Sequence, residues 1–352
     1  MHEKKKIERI LVRVPNWIGD AVISLPALSA LKEVFSGAGI TVLAKPRVAP
    51  VYENNPAVSG IIVYESNGIH AGFAGLVRLS RELKGKCFQI AVLFQNAFEA
   101  AFLAFLARVP ERVGYARDLR TPLLTRPIPL TGDILKKHQV FYYLNIIKEL
   151  GGDVPLERPV PRIYVKEGEP YSTDKFIPEK GFTKEGEFFY GVAPGASYGQ
   201  AKRWKVEGFK EVIGKISKDL GGVPVIFGGG GDCEAAEALS KSLLSVRHIN
   251  LAGKTTLREF IALCARMRFF ITNDSGPMHV AAALGVPTVG IFGSTEPALT
   301  GPLGTKATVV RKKVECSPCF KRECPYGHYK CMNGISSEDV YARLQAMLAG
   351  VF

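Results

Sequence analysis

The chain of 352 residues carries 46 Lys and Arg against 33 Asp and Glu, a formal net charge of +13, and 47% of its residues are hydrophobic. That hydrophobic content is normal for packed globular cores, and the length suits two domains of ordinary size. The best apolar stretch for a membrane span, residues 10–31, is interrupted by Arg13 and Asp20, which excludes a transmembrane helix there. The basic first six residues precede no apolar stretch or cleavage signal, so we expect no signal peptide and a cytoplasmic protein.

The excess of positive charge indicates an anionic partner. Seven basic residues cluster in one region, at Arg108, Arg112, Arg117, Arg120, Arg126, Lys136 and Lys137. Nucleic acid is one class of partner, but the chain contains no recognised nucleic-acid module. A polyanionic glycolipid at an anionic membrane surface explains the charge equally well. For most of these side chains taken individually, an ordinary solvated surface is the alternative.

The first half of the chain alternates short apolar runs with helical patterns. The pattern predicts strands at 10–14, 40–44, 61–64, 89–94 and 112–115 and helices at 20–35, 71–84, 98–107 and 136–150. Such alternation is typical of a doubly wound parallel sheet. Asp20 opens the first helix, where an aspartate commonly serves as the N-cap. The alternative is a catalytic base at the carboxyl edge of the sheet, where open α/β sheets place their chemistry.

The second half repeats this organisation after a segment rich in Gly and Pro, residues 151–170. Strands are predicted at 188–193, 223–228, 247–250, 269–272 and 287–292, and helices at 206–220, 278–284 and 336–349. We therefore predict an α/β protein with two Rossmann-like domains, residues 1–165 and residues 166–335, followed by a C-terminal helix.

Two strand–turn–helix connections in the second half have residues suited to phosphate. Pro194-Gly195-Ala196-Ser197 follows an apolar strand, and Lys202 comes shortly after. Small residues allow a ligand to approach the backbone, and a lysine supplies a charge for phosphate oxygens. An ordinary βα connection with surface lysines is the alternative.

The other connection is Asn273-Asp274-Ser275-Gly276-Pro277-Met278-His279, in which Pro277 is expected at the first helical position. A helix N-terminus attracts phosphate, and Asp274, Ser275, Gly276 and His279 would lie at its mouth. The alternative is that Asp274 and Ser275 are N-cap residues. Two such turns in one half of the chain favour a site for a diphosphate.

The tail contains four closely spaced cysteines, Cys316, Cys319, Cys324 and Cys331, together with His328. This spacing is compatible with a small structural zinc site. Reduced or oxidised cysteines without a metal are the alternative, and a cytosolic location argues against disulfides.

Taken together, these motifs and Trp17-Ile18-Gly19-Asp20-Ala21-Val22 resemble the ADP-heptose:lipopolysaccharide heptosyltransferases of glycosyltransferase family 9, and within them the heptosyltransferase II sequences most of all. The resemblance covers nearly the whole chain. It implies an inverting transferase of the GT-B type, with two Rossmann-like domains facing a cleft and a final helix, about 336–352, packed on the first domain. It also implies ADP-heptose as donor, lipopolysaccharide inner core as acceptor, and no required metal.

The resemblance assigns roles residue by residue. Asp20 would be the general base, and Lys202 would meet the diphosphate and the sugar. Ser197 and the backbone of Ala196 would bind phosphate, and Asp274 would bind heptose hydroxyls. The N–H groups of Ser275, Gly276 and Met278 would bind the diphosphate, with His279 beside them. Asp232 or Glu234 would bind ribose, and Thr255 would flank adenine.

The composition and the resemblance together suggest the location and the rival functions. The protein would work in the cytoplasm, in peripheral contact with the anionic inner face of the inner membrane, and without nucleic acid. A related transferase that uses another nucleotide sugar is the alternative enzyme. A basic protein that binds nucleic acid or lipid is the alternative of another class.

Overall fold

A computed structural model describes residues 6–153, 155, 157–169, 175–177 and 187–350. The chain divides into two compact units, Met1–Tyr164 and Val165–Phe352. Three parts of the sequence used in the predictions lie outside the described residues. They are residues 1–5, which entered the prediction on signal peptides, Pro170 of the Gly- and Pro-rich segment, and residues 351–352 of the predicted final helix. None of the described helices combines the length and the apolar character needed to cross a membrane.

The first unit is built around one parallel sheet. Its strands are β1 (Arg9–Arg13), β2 (Gly39–Ala44), β3 (Gly60–Val63), β4 (Ile90–Leu93), β5 (Glu111–Tyr115) and β6 (Arg126–Ile128). Its helices are α1 (Ile18–Ile23), α2 (Leu25–Val34), α3 (Gly72–Gly85), α4 (Phe98–Leu106), α5 (Gly132–Leu135) and α6 (Gln139–Glu149). The strand order is β3-β2-β1-β4-β5-β6, and each neighbouring pair is parallel.

The structure corrects one prediction in this unit and shows a strand that was not predicted. The single helix predicted over 20–35 is two helices, α1 and α2, which meet at Ser24. Pro26 lies at the start of α2, where its missing N–H costs no hydrogen bond but prevents a continuous helix. Strand β6 was not predicted, because three residues that include a proline carry no strand periodicity.

The second unit repeats the architecture. Its strands are β7 (Phe189–Ala193), β8 (Val223–Ile226), β9 (Ile249–Asn250), β10 (Phe270–Asn273), β11 (Thr288–Phe292) and β12 (Ala307–Arg311). Its helices are α7 (Val206–Asp219), α8 (Cys233–Ser242), α9 (Leu257–Cys264), α10 (Gly276–Ala283), α11 (Pro297–Thr300), α12 (Lys330–Asn333) and α13 (Ser337–Leu348). The parallel order is β12-β11-β10-β7-β8-β9. The predicted α/β class with two Rossmann-like sheets is thus confirmed.

Both sheets reverse their strand order beside their first strand. This switch lies between β1 and β4 in the first unit and between β7 and β10 in the second. Open α/β sheets bind ligands beyond the carboxyl ends of the strands at such a point. The segment after β1 contains Asp20, and the segments after β7 and β10 contain Lys202 and Asp274, so topology brings the predicted site residues to these two edges.

The C-terminal helix packs within the second unit. Helix α13 contacts α7 and β12, and the hydroxyl of Tyr341 donates to Oδ2 of Asp219 at 2.6 Å. Val340 and Leu344 are buried in the core of this unit. The sequence-based expectation placed this helix on the first domain. The contacts of α13 with α7 and β12 lie within the second unit, and packing of this helix on the first domain stays a prediction.

Candidate active site

A buried ion pair forms the centre of the second unit's carboxyl edge. Nζ of Lys202 lies 2.6 Å from Oδ2 of Asp274, and the two side chains are 13% and 3% exposed. The hydroxyl of Thr295, which follows β11, donates to the same oxygen at 2.5 Å. Asp274 therefore receives a cation and a hydroxyl donor from two different loops. It does not act as an N-cap, because its carboxylate is engaged by these side chains rather than by the helix.

Asn273 holds the two predicted phosphate turns together. Its Nδ2 donates to the carbonyl of Pro194 at 2.7 Å, and its Oδ1 accepts the backbone N–H of Trp204 at 3.0 Å. The side chain is fully buried at the end of β10. Because a buried amide that satisfies two backbone groups is costly to displace, Asn273 fixes the loop of Lys202 relative to Asp274.

The N-terminus of α10 lies directly after Asp274. Ser275 is the N-cap residue, and its hydroxyl donates to the carbonyl of Asn273 at 3.2 Å instead of accepting from the helix. Gly276 is the first helical residue, so Pro277 is the second and not the first as predicted. The N–H of Met278 donates to the carbonyl of Ser275 at 3.1 Å, which already occupies one of the groups assigned to the diphosphate. His279 is buried on the first turn.

The turn after β7 presents a small backbone surface. Ala196 is buried and its carbonyl accepts from Nε of Arg203 at 3.4 Å, whereas Ser197 is exposed. A side chain at Gly195 would overlap Asp232, since a Cβ there would lie 2.2 Å from its Oδ1. The glycine is thus required by the close approach of the carboxylate.

The two acids proposed for ribose differ in their surroundings. Asp232 is buried, accepts the N–H of Gly229 at 3.1 Å through Oδ2, and lies 3.9 Å from Arg203 through Oδ1. Among the described residues, that Oδ1 has no hydrogen-bond partner. Glu234 is exposed on the first turn of α8. The geometry places Asp232 beside the Gly195 turn and Glu234 on the surface.

Thr255 lies in the loop between β9 and α9 and is half-buried. The N–H of Gly253 in this loop donates to the carbonyl of Gly228 at 3.0 Å, which brings the loop next to the segment that contains Asp232. The next residue, Thr256, caps α9 through a capping box with Glu259. The structure therefore brings Thr255 and Asp232 to neighbouring loops, while contact of either with a nucleotide stays a prediction.

In the first unit, Asp20 lies half-buried in the first turn of α1. Trp17 is the N-cap residue, so Asp20 is the third helical residue and not the cap. Its Oδ1 accepts from Nε2 of Gln139, the first residue of α6, at 3.1 Å. The carboxylate is therefore oriented by a side chain 119 residues away in sequence.

Gln139 and two buried tyrosines, Tyr143 and Tyr52, lie near Asp20. Nε2 of Gln139 also lies 3.4 Å from the hydroxyl of Tyr143. Burial raises the pKa of Tyr143 well above its usual value, and the charge of Asp20 adds to this rise. Burial likewise raises the pKa of Tyr52. Both phenols therefore stay protonated well above neutral pH.

Arg13 fixes the loop that leads to Asp20. The side chain is buried, and its guanidinium donates to the carbonyl of Val14 at 2.7 Å and to Oδ1 of Asn16 at 2.9 Å. Burial lowers the pKa of Arg13 to about 10, which still leaves it charged at neutral pH. Because these hydrogen bonds go to the loop that precedes α1, Arg13 holds this loop in place.

The basic cluster predicted as one surface is divided by the fold. Arg120 is fully buried and donates to the carbonyl of Tyr115 at 3.0 Å, and Arg112 donates to the carbonyl of Leu123 at 2.6 Å. Arg126 begins β6 and pairs with Glu111 at 3.5 Å. These three cations stabilise loops or strand ends. Lys136 and Lys137, which follow β6, remain exposed at the carboxyl edge.

The four tail cysteines line one small cavity together with His328. All seven thiols of the chain are free. Within the ranges that the structure describes, no group of three or more His, Cys, Asp or Glu side chains is arranged to hold a metal ion. The thiols as they lie do not form a metal site, and zinc stays a prediction from their spacing.

Two residues of the site were not found from the sequence. Gln139 has no local signal, because only the fold brings α6 to α1. Thr295 does have a sequence signal, because it directly follows the region of β11, and β11 pairs with β10. The carboxyl ends of neighbouring parallel strands lie at one edge of the sheet, which brings Thr295 near Asp274.

Comparison with known proteins identifies the family to which the chain belongs. The profile of glycosyltransferase family 9 (heptosyltransferase) matches residues 76–330. Lipopolysaccharide heptosyltransferase 2 of Salmonella typhimurium is 30% identical, covering 97% of this chain and 99% of that protein. The structure of the Escherichia coli ADP-heptose lps heptosyltransferase II is 27% identical, with a TM-score of 0.81 and coverage of 97% and 99%. A family 9 glycosyl transferase from Veillonella parvula is 26% identical, with a TM-score of 0.86 and 99% of each chain covered. The chain is a glycosyltransferase that belongs to family 9, the heptosyltransferase family.

Proposed function

We propose that this enzyme transfers L-glycero-D-manno-heptose from ADP-heptose to the inner core of lipopolysaccharide, with inversion at the anomeric carbon. The observation that carries the proposal is the Lys202–Asp274–Thr295 group beside the N-terminus of α10. It combines a cation for a diphosphate with a carboxylate that can accept hydrogen bonds from sugar hydroxyls. Full-length similarity to lipopolysaccharide heptosyltransferase 2 supports the same donor and acceptor.

The donor's leaving group is handled by the second unit. As the bond between the anomeric carbon and the β-phosphate oxygen breaks, negative charge grows on the diphosphate. Lys202, the N-terminus of α10 and the turn at Ala196 and Ser197 stabilise that charge. Because these groups supply positive charge themselves, we propose that transfer requires no metal.

Asp20 completes the reaction on the acceptor side. The acceptor oxygen attacks the anomeric carbon from the face opposite the diphosphate, ADP departs, and the hydroxyl proton passes to the carboxylate of Asp20. One displacement inverts the configuration. The amide of Gln139 donates to one carboxylate oxygen of Asp20, and this hydrogen bond orients the base.

The nucleotide is bound beside Gly195. We assign the ribose to Asp232 or Glu234 and the adenine to the loop of Thr255. The buried position of Asp232 against the Gly195 turn supports a role in shaping the pocket, whereas the exposed carboxylate of Glu234 is open to a ribose hydroxyl.

We further propose that the enzyme works at the cytoplasmic face of the inner membrane, in peripheral contact with anionic lipid. Connections at the carboxyl edge of the first sheet carry large exposed apolar side chains, at Trp17, Ile69, Phe73, Phe98, Leu119 and Leu135. Lys136 and Lys137 lie in the same set of connections. Apolar side chains beside lysines suit the boundary between acyl chains and anionic headgroups.

The decisive experiment incubates the purified protein with ADP-heptose and truncated core acceptors and measures the product mass. An increase by the mass of one heptose residue is the expected result, and NMR of the product should show the inverted anomeric configuration. Hydrolysis of the donor without transfer, or transfer from a different nucleotide sugar alone, would contradict the proposal. A gel shift with random oligonucleotides tests the rival nucleic-acid function, and no binding at physiological salt is expected.

A further inference from the structure

The cysteine-rich tail segment, residues 316–331, lies against the loop that carries Lys202. The hydroxyl of Tyr198 donates to the carbonyl of Phe320 at 2.8 Å, and the N–H of Ala201 donates to the carbonyl of Arg322 at 2.9 Å. Gly199 has a φ of +155°, and a Cβ at that position would lie 2.3 Å from the carbonyl oxygen of Arg322. The loop and the tail segment are therefore in direct backbone contact.

The tail segment also binds the loop after β11. The N–H of Phe320 donates to the carbonyl of Ser294 at 2.8 Å, and the hydroxyl of Ser317 donates to the carbonyl of Gly293 at 2.6 Å. The next residue along this loop, Thr295, shares Oδ2 of Asp274 with Lys202. One segment thus connects the two loops whose side chains converge on a single carboxylate oxygen.

Tyr198 links the tail segment to the catalytic cation most directly. Nζ of Lys202 lies 4.8 Å from the centroid of the Tyr198 ring, and the guanidinium carbon of Arg322 lies 5.4 Å from it. A cation over a tyrosine ring is attracted by the ring electrons. The ring, anchored through its hydroxyl to Phe320, therefore restricts where the ammonium group of Lys202 can lie.

We propose that the tail segment positions Lys202 for the donor diphosphate, with Tyr198 as the positioning residue. The inference rests on the proposed role of Lys202 in donor binding. A segment that ties both loops removes the conformational freedom of a lysine side chain before the donor binds. Such preorganisation matters because misplacing a catalytic group by about 1 Å costs on the order of 100-fold in rate.

A double-mutant cycle tests this inference. Tyr198→Ala should lower kcat/KM for ADP-heptose by about 10- to 100-fold. Tyr198→Phe keeps the ring but loses the hydroxyl bond, so a smaller loss of about 3- to 10-fold is expected. If Tyr198 acts through Lys202, neither change should lower kcat/KM further in a Lys202→Met background.

Tyr326→Phe is the matched control, since Tyr326 is an exposed tyrosine of the same segment that stacks on His328. It should leave kcat/KM unchanged. Equal losses from Tyr198→Ala in the two backgrounds would overturn the inference and assign Tyr198 to folding alone.

Binding of ADP by calorimetry separates this inference from the proposed function. Tyr198→Ala should weaken the affinity for ADP about 10-fold. Because ADP carries no sugar, this result does not depend on which sugar the donor carries. A protein that binds ADP but does not transfer heptose would contradict the proposed donor and leave the positioning role testable. Unchanged ADP affinity together with unchanged kcat/KM in Tyr198→Ala would refute the positioning role.

Discussion

Lys202 and Asp274 neutralise each other at the carboxyl edge of the second sheet. Their closest atoms are 2.6 Å apart, and both side chains are largely withdrawn from water. Removing one partner of such a pair leaves a desolvated charge, whereas removing both charges relieves that cost. Stability therefore requires that the two charges balance, whereas the proposed donor binding requires the charge of Lys202 itself.

Lys202→Met should lower the free energy of unfolding by about 1–3 kcal/mol, because the carboxylate of Asp274 then keeps only its hydroxyl partner. The double variant Lys202→Met/Asp274→Asn should recover most of this stability. Heptose transfer should fall by about 100- to 1,000-fold in both variants and remain measurable at high enzyme concentration. Chemical denaturation and donor binding by calorimetry check the two effects separately. A double variant that is less stable than Lys202→Met would refute the account of mutual neutralisation.

Asp20→Asn should leave the fold and donor affinity intact and lower turnover by about 100- to 10,000-fold, the range for loss of a general base. Gln139→Leu should lower turnover by a smaller factor, about 5- to 20-fold, since it removes the hydrogen bond that orients the base. Steady-state kinetics with a saturating donor measure both. Turnover within a few-fold of the unmodified enzyme in Asp20→Asn would exclude it as the base.

Phe73→Ser with Leu119→Ser should weaken binding to vesicles that contain anionic phosphatidylglycerol by about 10-fold or more, because two apolar anchors are lost. Phe73 is 72% exposed and Leu119 is 89% exposed at the carboxyl edge of the first sheet. Lys136→Ala with Lys137→Ala should remove part of the salt-dependent binding.

Leu244→Ser is the matched control for the vesicle assay. Leu244 is 92% exposed but follows α8 in the second unit. Sedimentation with the vesicles should show no change for this variant. Equal weakening by all the apolar substitutions would mean that the carboxyl edge has no special role in lipid binding.

Cys324 should react with iodoacetamide at a lower pH than Cys331. Desolvation raises the pKa of Cys324, but backbone hydrogen bonds from Tyr329, Tyr326 and their neighbours outweigh it and lower the net value. Burial raises the pKa of Cys331, and Cys316 and Cys319 add to the rise. A thiol with a lower pKa becomes a thiolate earlier as the pH increases, and the thiolate is the nucleophile. Peptide mass spectrometry over a pH series gives the order, and earlier labelling of Cys331 would contradict it.

Purified enzyme should transfer heptose in the presence of EDTA, because Lys202 and the α10 terminus supply the charge that a metal would. If elemental analysis finds zinc, replacing Cys316 and Cys319 by serine should lower the melting temperature. Turnover at low temperature should survive that replacement. Complete loss of transfer on chelation, with the circular dichroism spectrum intact, would make a metal part of the chemistry.

The sequence alone was sufficient for the fold class and for the sheet edges at which the candidate site residues lie. Alternating apolar strands and helices predict parallel sheets, and the polar residues after β1, β7 and β10 must then lie at the carboxyl edges. These signals are local, because strand and helix periods are set within a few residues. The same approach missed β6 and β12, which are edge strands with little periodicity.

Tertiary structure decided which of those polar groups touch. Asp274 could have capped α10, yet it pairs with Lys202, and Asp20 could have capped α1, yet it is bound by Gln139 from α6. Arg120 belonged to a predicted surface cluster but is buried under its own loop. The partner of each polar group depends on desolvation and on residues that are distant in the chain. The sequence around a charged or amide side chain does not indicate which neighbour the fold will bring to it.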